Sequence, residues 1–95
     1  MQKLNKSQDV NVIFSKHAEE QLSRRSLERN VVEAIVLKPD QIVEDENDDA
    51  VSIYQAIVKD DDIVFLYRVF VNTKVEPNVI VTVYKTTKIE KYYES

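Results

Sequence analysis

Two periodicities divide the chain. Up to Pro39 the apolar positions recur at helical spacing, and after it they alternate in the manner of strands. Phe14, Ala18 and Leu22 stand four apart and form one stripe of a predicted helix over Ser15 to Arg24, with Ser15 placed to cap its N-terminus. Val10–Phe14 before it reads as a short strand, and residues 1–10 as a flexible arm. Val31, Val32, Ile35 and Val36 give a second helical stripe, within Glu28 to Lys38. Pro39 ends that helix, since it has no amide to donate and disfavours a helical residue before it.

Beyond Pro39, Gln41–Glu44, Val51–Val58, Ile63–Asn72 and Asn78–Lys88 are rich in the Val, Ile, Tyr and Phe that suit a pleated surface. The connections Asp60–Asp62 and Asn72–Asn78 are short enough for an antiparallel meander. The expected fold is one α+β domain over residues 1–95, with two N-terminal helices on one face of an antiparallel sheet of about four strands. In the last strand Val79, Val81 and Val83 are expected to pack under the helices, leaving Thr82, Tyr84 and Thr86 on the opposite face. Phe65, Tyr67 and Val69 alternate with Leu66, Arg68 and Phe70 in the strand before it. Either set can continue the Thr/Tyr face, because the register is open. Arg68 in so apolar a strand needs solvent or an anionic partner.

Composition changes this picture in three ways. The chain has no glycine, so positive φ values are expected on Asn or Asp. It has no cysteine and a single histidine, so disulfides, thiolate metal sites, a Gly-rich phosphate loop and a Ser-His-Asp hydrolase lack their parts, and no cofactor is expected. The net charge of −4 is concentrated, since residues 43–62 carry eight acids and one base while the rest is slightly basic. An anion-binding face is therefore permitted. The acid runs read most simply as solvated loops, and Asp60–Asp62 is a poor cation site because adjacent acids on a tight turn diverge. The polar first ten residues lack the apolar core of a signal peptide and no run is long enough to span a bilayer, so a cytoplasmic, membrane-free location is expected.

Candidate chemistry gathers on the first helix, where His17, Gln21 and Arg25 stand four apart on a polar stripe beside the buried one. With the opening His17-Ala18-Glu19-Glu20-Gln21-Leu22-Ser23-Arg24-Arg25, the helix end Lys38-Pro39-Asp40 and the strand Thr82-Val83-Tyr84-Lys85-Thr86, the chain resembles a small bacterial family of unknown function. That family is placed with the RelE-like and barnase–EndoU–colicin–RelE toxin ribonucleases. The resemblance runs from about Phe14 to Tyr93; it departs at Gln21, where the pattern usually has arginine.

The resemblance implies a RelE/barnase-like fold and metal-independent RNA cleavage, in which the 2′-hydroxyl attacks the adjacent phosphate. Such chemistry needs proton-transfer groups and cations around a phosphorane. His17, Arg25 and Tyr84 are the implied catalytic residues. Gln21, Arg68, Thr82, Thr86 and Lys88 are the implied substrate-binding residues, arginine suiting phosphate through its bidentate fork. RNA, a cognate antitoxin and a second copy of the chain are the implied partners. The alternative is a catalytically inactive protein-interaction module on the same fold, of bacterial, phage or plasmid origin, and an accessory protein engaging a basic partner through its acidic loops is a third reading. The residues also have plainer explanations, since His17 can be a half-buried helix residue and Thr82, Tyr84 and Thr86 are good strand formers. If His17 transfers a proton, His17→Ala lowers the cleavage rate by about 10²-fold or more in an assay on purified RNA.

Overall fold

The computed structural model describes residues 11–94. Val10, the first residue of the expected opening strand, and the expected arm at 1–10 lie outside them. The described residues form β1 (Val12–Phe14), α1 (Lys16–Arg24), α2 (Arg29–Leu37), β2 (Gln41–Glu44), β3 (Val51–Asp60), β4 (Ile63–Asn72), β5 (Asn78–Thr86) and α3 (Ile89–Tyr92). The class is α+β, as the pattern indicated. The sheet is larger and mixed, however, with five strands in the order β1-β5-β4-β3-β2 and β1 running parallel to β5. The parallel pair arises because β1 leads straight into a helix, which carries the chain away before any hairpin can form. β5 ends at Thr86, two residues short of the predicted strand, because the Thr86 hydroxyl accepts from the Lys88 amide and turns the chain into α3.

Local chemistry sets the helix boundaries. The Ser15 hydroxyl accepts from the Ala18 amide at 3.0 Å, the expected N-cap. α1 closes through a turn in which the Leu27 amide donates to the Leu22 carbonyl at 2.9 Å and the Ser26 amide to Ser23. Ser26 is left-handed (φ 56) where such a turn favours glycine, and Leu27 and Leu22 are buried together beneath it. The other positive φ among the described residues, also 56, is Asp61 in the β3–β4 turn. One of the two thus falls on serine, outside the expected Asn and Asp. Past Pro39, Asp40 fastens the chain to β3, its amide donating to the Gln55 carbonyl and its carboxylate accepting from the Ile57 amide at 2.7 Å.

The core lies between α1, α2 and one face of the sheet. Ala18, Leu22, Leu27, Val32 and Ile35 pack against Ala56, Tyr67, Val69, Val71, Ile80 and Val83. Each Val, Leu or Ile so buried contributes about 1.5–3 kcal/mol. The predicted valine face of β5 is corrected by a bulge. Phe70 pairs with Thr82 but Val71 pairs with Ile80, so Val81 is an extra residue and the alternation changes phase there. Ile80 and Val83 enter the core, and Val79 and Val81 do not.

Ser26 carries a Cβ into a region that costs about 1–2 kcal/mol for an L-residue. After the extra unfolded-state entropy of glycine is subtracted, Ser26→Gly raises the unfolding free energy by about 0.5–1 kcal/mol, read from the urea midpoint. A lower midpoint contradicts this account of the turn.

Candidate functional site

The face of the sheet turned away from α1 and α2 is organised by Arg68. In β4 its direct cross-strand neighbours are Gln55 of β3 and Tyr84 of β5, which settles that the Arg68 set continues the Thr/Tyr face. The guanidinium donates from Nε to Gln55 Oε1 at 2.5 Å and from Nη1 to the Tyr84 hydroxyl at 2.7 Å. Among the described residues no carboxylate pairs with it. A half-buried cation is thus held by two neutral acceptors, and three of its five N–H groups are uncommitted.

Aromatic rings surround the same group. Tyr92 of α3 lies over it at 4.3 Å from ring centroid to guanidinium carbon, with Phe70 at 5.4 Å and Tyr84 at 5.8 Å. Tyr92 meets Tyr84 edge-on at 6.4 Å. The Tyr92 phenol is lowered from its ordinary value, first by a hydrogen bond with Lys91. Burial acts against this, and the Lys91 charge, the Tyr84 hydroxyl and the Arg68 charge act with it.

A chain of amides supports the arginine. Gln55, fully buried, donates to Gln41 Oε1 at 2.7 Å and to the Tyr92 carbonyl at 3.4 Å. Gln41 in turn binds the main chain of Glu94 in both senses, accepting at 2.9 Å and donating at 2.7 Å. Beside Arg68 opens a cavity of about 360 Å³ with Val43, Ile53 and Phe70 as apolar lining and Glu44, Asp45, Glu46 and Glu94 among its acids.

The remaining implied site residues are dispersed. Thr82 and Thr86 share the Arg68 face with Tyr84, although Thr86 is engaged with the Lys88 amide. Lys88 is exposed at the start of α3. Gln21 is buried, and its Oε1 accepts from the Val83 amide at 2.8 Å, closing the edge of β5 beyond the end of β1. Its side chain belongs to the fold, and the predicted polar stripe is broken there. His17 and Arg25 are exposed, and no hydrogen bond or ion pair joins either to the Arg68 group. α1 nevertheless lies along β5, since the Ser15 amide donates to the Ile80 carbonyl and the Ser15 hydroxyl to that of Val81. His17, one turn before Gln21, therefore stands near the outer edge of the strand that carries Thr82 and Tyr84.

Sequence reasoning missed Gln41 and Gln55, and it did not connect Tyr92 with Arg68. The signal for Gln55 was its place between Tyr54 and Ala56, a polar residue inside an apolar strand like Arg68 itself.

On the helix side, Tyr67, Lys85, Asp60 and Glu28 line a second cavity of about 200 Å³. Lys85 pairs with Asp60 at 3.8 Å and lies 4.3 Å from the Phe65 ring centroid. The acid turns behave as the simple reading expects, with Asp45 and Asp48 accepting from the amides of Asn47 and Ala50. No helix among the described residues is long and apolar enough to cross a membrane.

Residues 14–85 match the family described as Domain of unknown function (DUF4258), and the chain belongs to that family. The match takes in Gln41, Gln55, Arg68 and Tyr84 and stops before α3. Comparison with curated proteins and with solved structures gave no match.

The Tyr67 phenol is pushed up, chiefly by burial and then by the charges of Asp60 and Glu28. With its folded pKa above the unfolded value of about 10, the stabilisation it gives is complete below pH 10 and is lost as the pH rises through the folded pKa. Urea unfolding from pH 8 to 11.5 should therefore show stability falling above pH 10, and Tyr67→Phe should flatten that fall. An equal fall in the variant refutes the assignment.

Proposed function

We propose that this domain is a metal-independent, RNA-cleaving toxin-like protein, kin to the RelE-like and barnase–EndoU–colicin–RelE ribonucleases, and neutralised by a cognate antitoxin. The observation that carries the reading is Arg68, a half-buried guanidinium without a carboxylate partner among the described residues, oriented by Gln55 and Tyr84 and with N–H groups to spare. A phosphate supplies the missing counter-charge in the bidentate geometry that arginine favours. Thr82 beside Tyr84 adds a hydroxyl to hold a phosphate or ribose oxygen. Tyr84 donates to the phosphate while its oxygen stays tied to Arg68. His17 takes the proton of the attacking 2′-hydroxyl at the edge of β5, the P–O5′ bond breaks to leave a 2′,3′-cyclic phosphate, and water protonates the departing 5′-oxygen. Arg25 and Lys88 bring further positive charge to RNA lying across that edge.

One specific observation favours a second reading, a catalytically inactive interaction module. Gln21 spends its side-chain oxygen on the Val83 amide, and acids rim the cavity next to Arg68, so the face is less cationic than a polyanion prefers.

Induced expression of the wild type, Arg68→Gln and His17→Ala, at matched soluble levels, separates the two. The ribonuclease reading expects growth arrest and RNA breakdown by the wild type alone. It also expects cleavage by the purified protein to survive EDTA and to fall about 10²-fold or more in each variant. Intact RNA and normal growth in all three cultures leave the interaction module as the function.

A further inference from the structure

Tyr92 covers the Arg68 guanidinium, which has no carboxylate partner among the described residues, and its hold is slight. The ring belongs to a four-residue helix with no side-chain cap at Lys88, and it remains partly exposed. Behind it the chain is fastened by the paired bonds between the Gln41 side chain and the Glu94 main chain, and by the 3.4 Å bond from Gln55 to the Tyr92 carbonyl. α3 lies beyond residues 14–85, so the matched segment holds the arginine, its two amides and Tyr84 but not the covering ring.

The chemistry under the ring is that of a composite subsite. A guanidinium offers two things at right angles, N–H groups in its plane and a cationic face that attracts a π system. Here three in-plane N–H groups have no acceptor among the described residues, and the outer face is occupied by a phenol ring at 4.3 Å. A ligand that uses both at once carries a flat ring next to an anion, which describes an unpaired nucleobase with its own phosphate. A base stacked on Arg68 would also meet Tyr84 edge-on, as Tyr92 does now at 6.4 Å.

We propose that the outer face of Arg68 is a stacking subsite for one unpaired nucleobase of an RNA strand, and that Tyr92 fills it in the free protein as a displaceable stand-in. This rests on the RNA reading above and adds the position of one base and the competition for it. The strap formed by α3 and Glu94 then sets the apparent affinity, because the open form alone binds.

The test titrates 5′-fluorescein-labelled 2′-O-methyl hexauridylate, which is not cleaved, into the wild type, Tyr92→Ala, Gln41→Ala and Arg68→Gln. Anisotropy and the ¹⁵N resonance of Arg68 Nε are followed together. Tyr92→Ala removes the ring, and Gln41→Ala frees the strap while leaving the ring in place. Binding at least fivefold tighter in both, and lost in Arg68→Gln, supports the subsite. So does movement of the Arg68 Nε and Tyr92 ring signals together as RNA is added to the wild type. RNA binding that is unchanged or weakened by Tyr92→Ala and Gln41→Ala overturns the stand-in while leaving the RNA reading intact. No binding by any of the four, each folded by its ¹H–¹⁵N spectrum, removes the RNA reading and the subsite with it.

Discussion

Val81 is one residue more than β4 can pair with, and the placement of both the core and the site turns on it. Before the bulge, β5 sends Ile80 inward while its other side pairs with β1. After it, Val83 takes the inward position and Thr82, Tyr84 and Thr86 fall on the far face. Without the change of phase, the segment that seats Ile80 in the core would turn Tyr84 inward and leave Arg68 without its hydroxyl acceptor. The bulge also lies where β1 ends and α1 begins to flank the strand. Ser15 and Gln21 supply the hydrogen bonds that no neighbouring strand provides there.

Arg68 shows the same economy of partners. Burying a guanidinium part-way costs free energy unless its donors are met. A carboxylate would meet them most strongly but would also cancel the charge. Gln55 and Tyr84 satisfy two donors and leave the charge in place, and Gln41 orients Gln55 from one strand further out. The result is a cation held rigidly by dipoles, the arrangement from which an external anion gains most.

The sequence carried the helices and the strand set clearly, because Ala18, Leu22, Val32 and Ile35 repeat at 3.6 residues and the Pro39 stop is chemical. It marked Ser15 as a cap and Arg68 as a residue needing solvent or an anionic partner, whereas the acceptors Arg68 finds are the neutral Gln55 and Tyr84. It did not carry the bulge, since Val79, Val81 and Val83 alternate perfectly and only the competing demand of Ile80 for the core breaks the pattern. Gln21 looked like a surface residue because the free edge of β5 that claims it exists only in three dimensions. Nothing local in the sequence says that the chain after Thr86 folds back over β4 and lays Tyr92 on Arg68.

The two rims of the sheet bear on how the protein behaves in company. At one rim β1 is three residues long and α1 shuts the rest of β5; at the other β2 is four residues long and runs directly into Glu44–Asp49. Sheets that offer long bare borders recruit one another, and β3 and β4, ten residues each with Ile57, Ile63 and Val64 exposed, would be potent seeds if they lay outermost. Keeping them inside, and closing the borders with a helix and a run of negative charge, removes the long bare edges through which sheets so rich in valine and isoleucine associate.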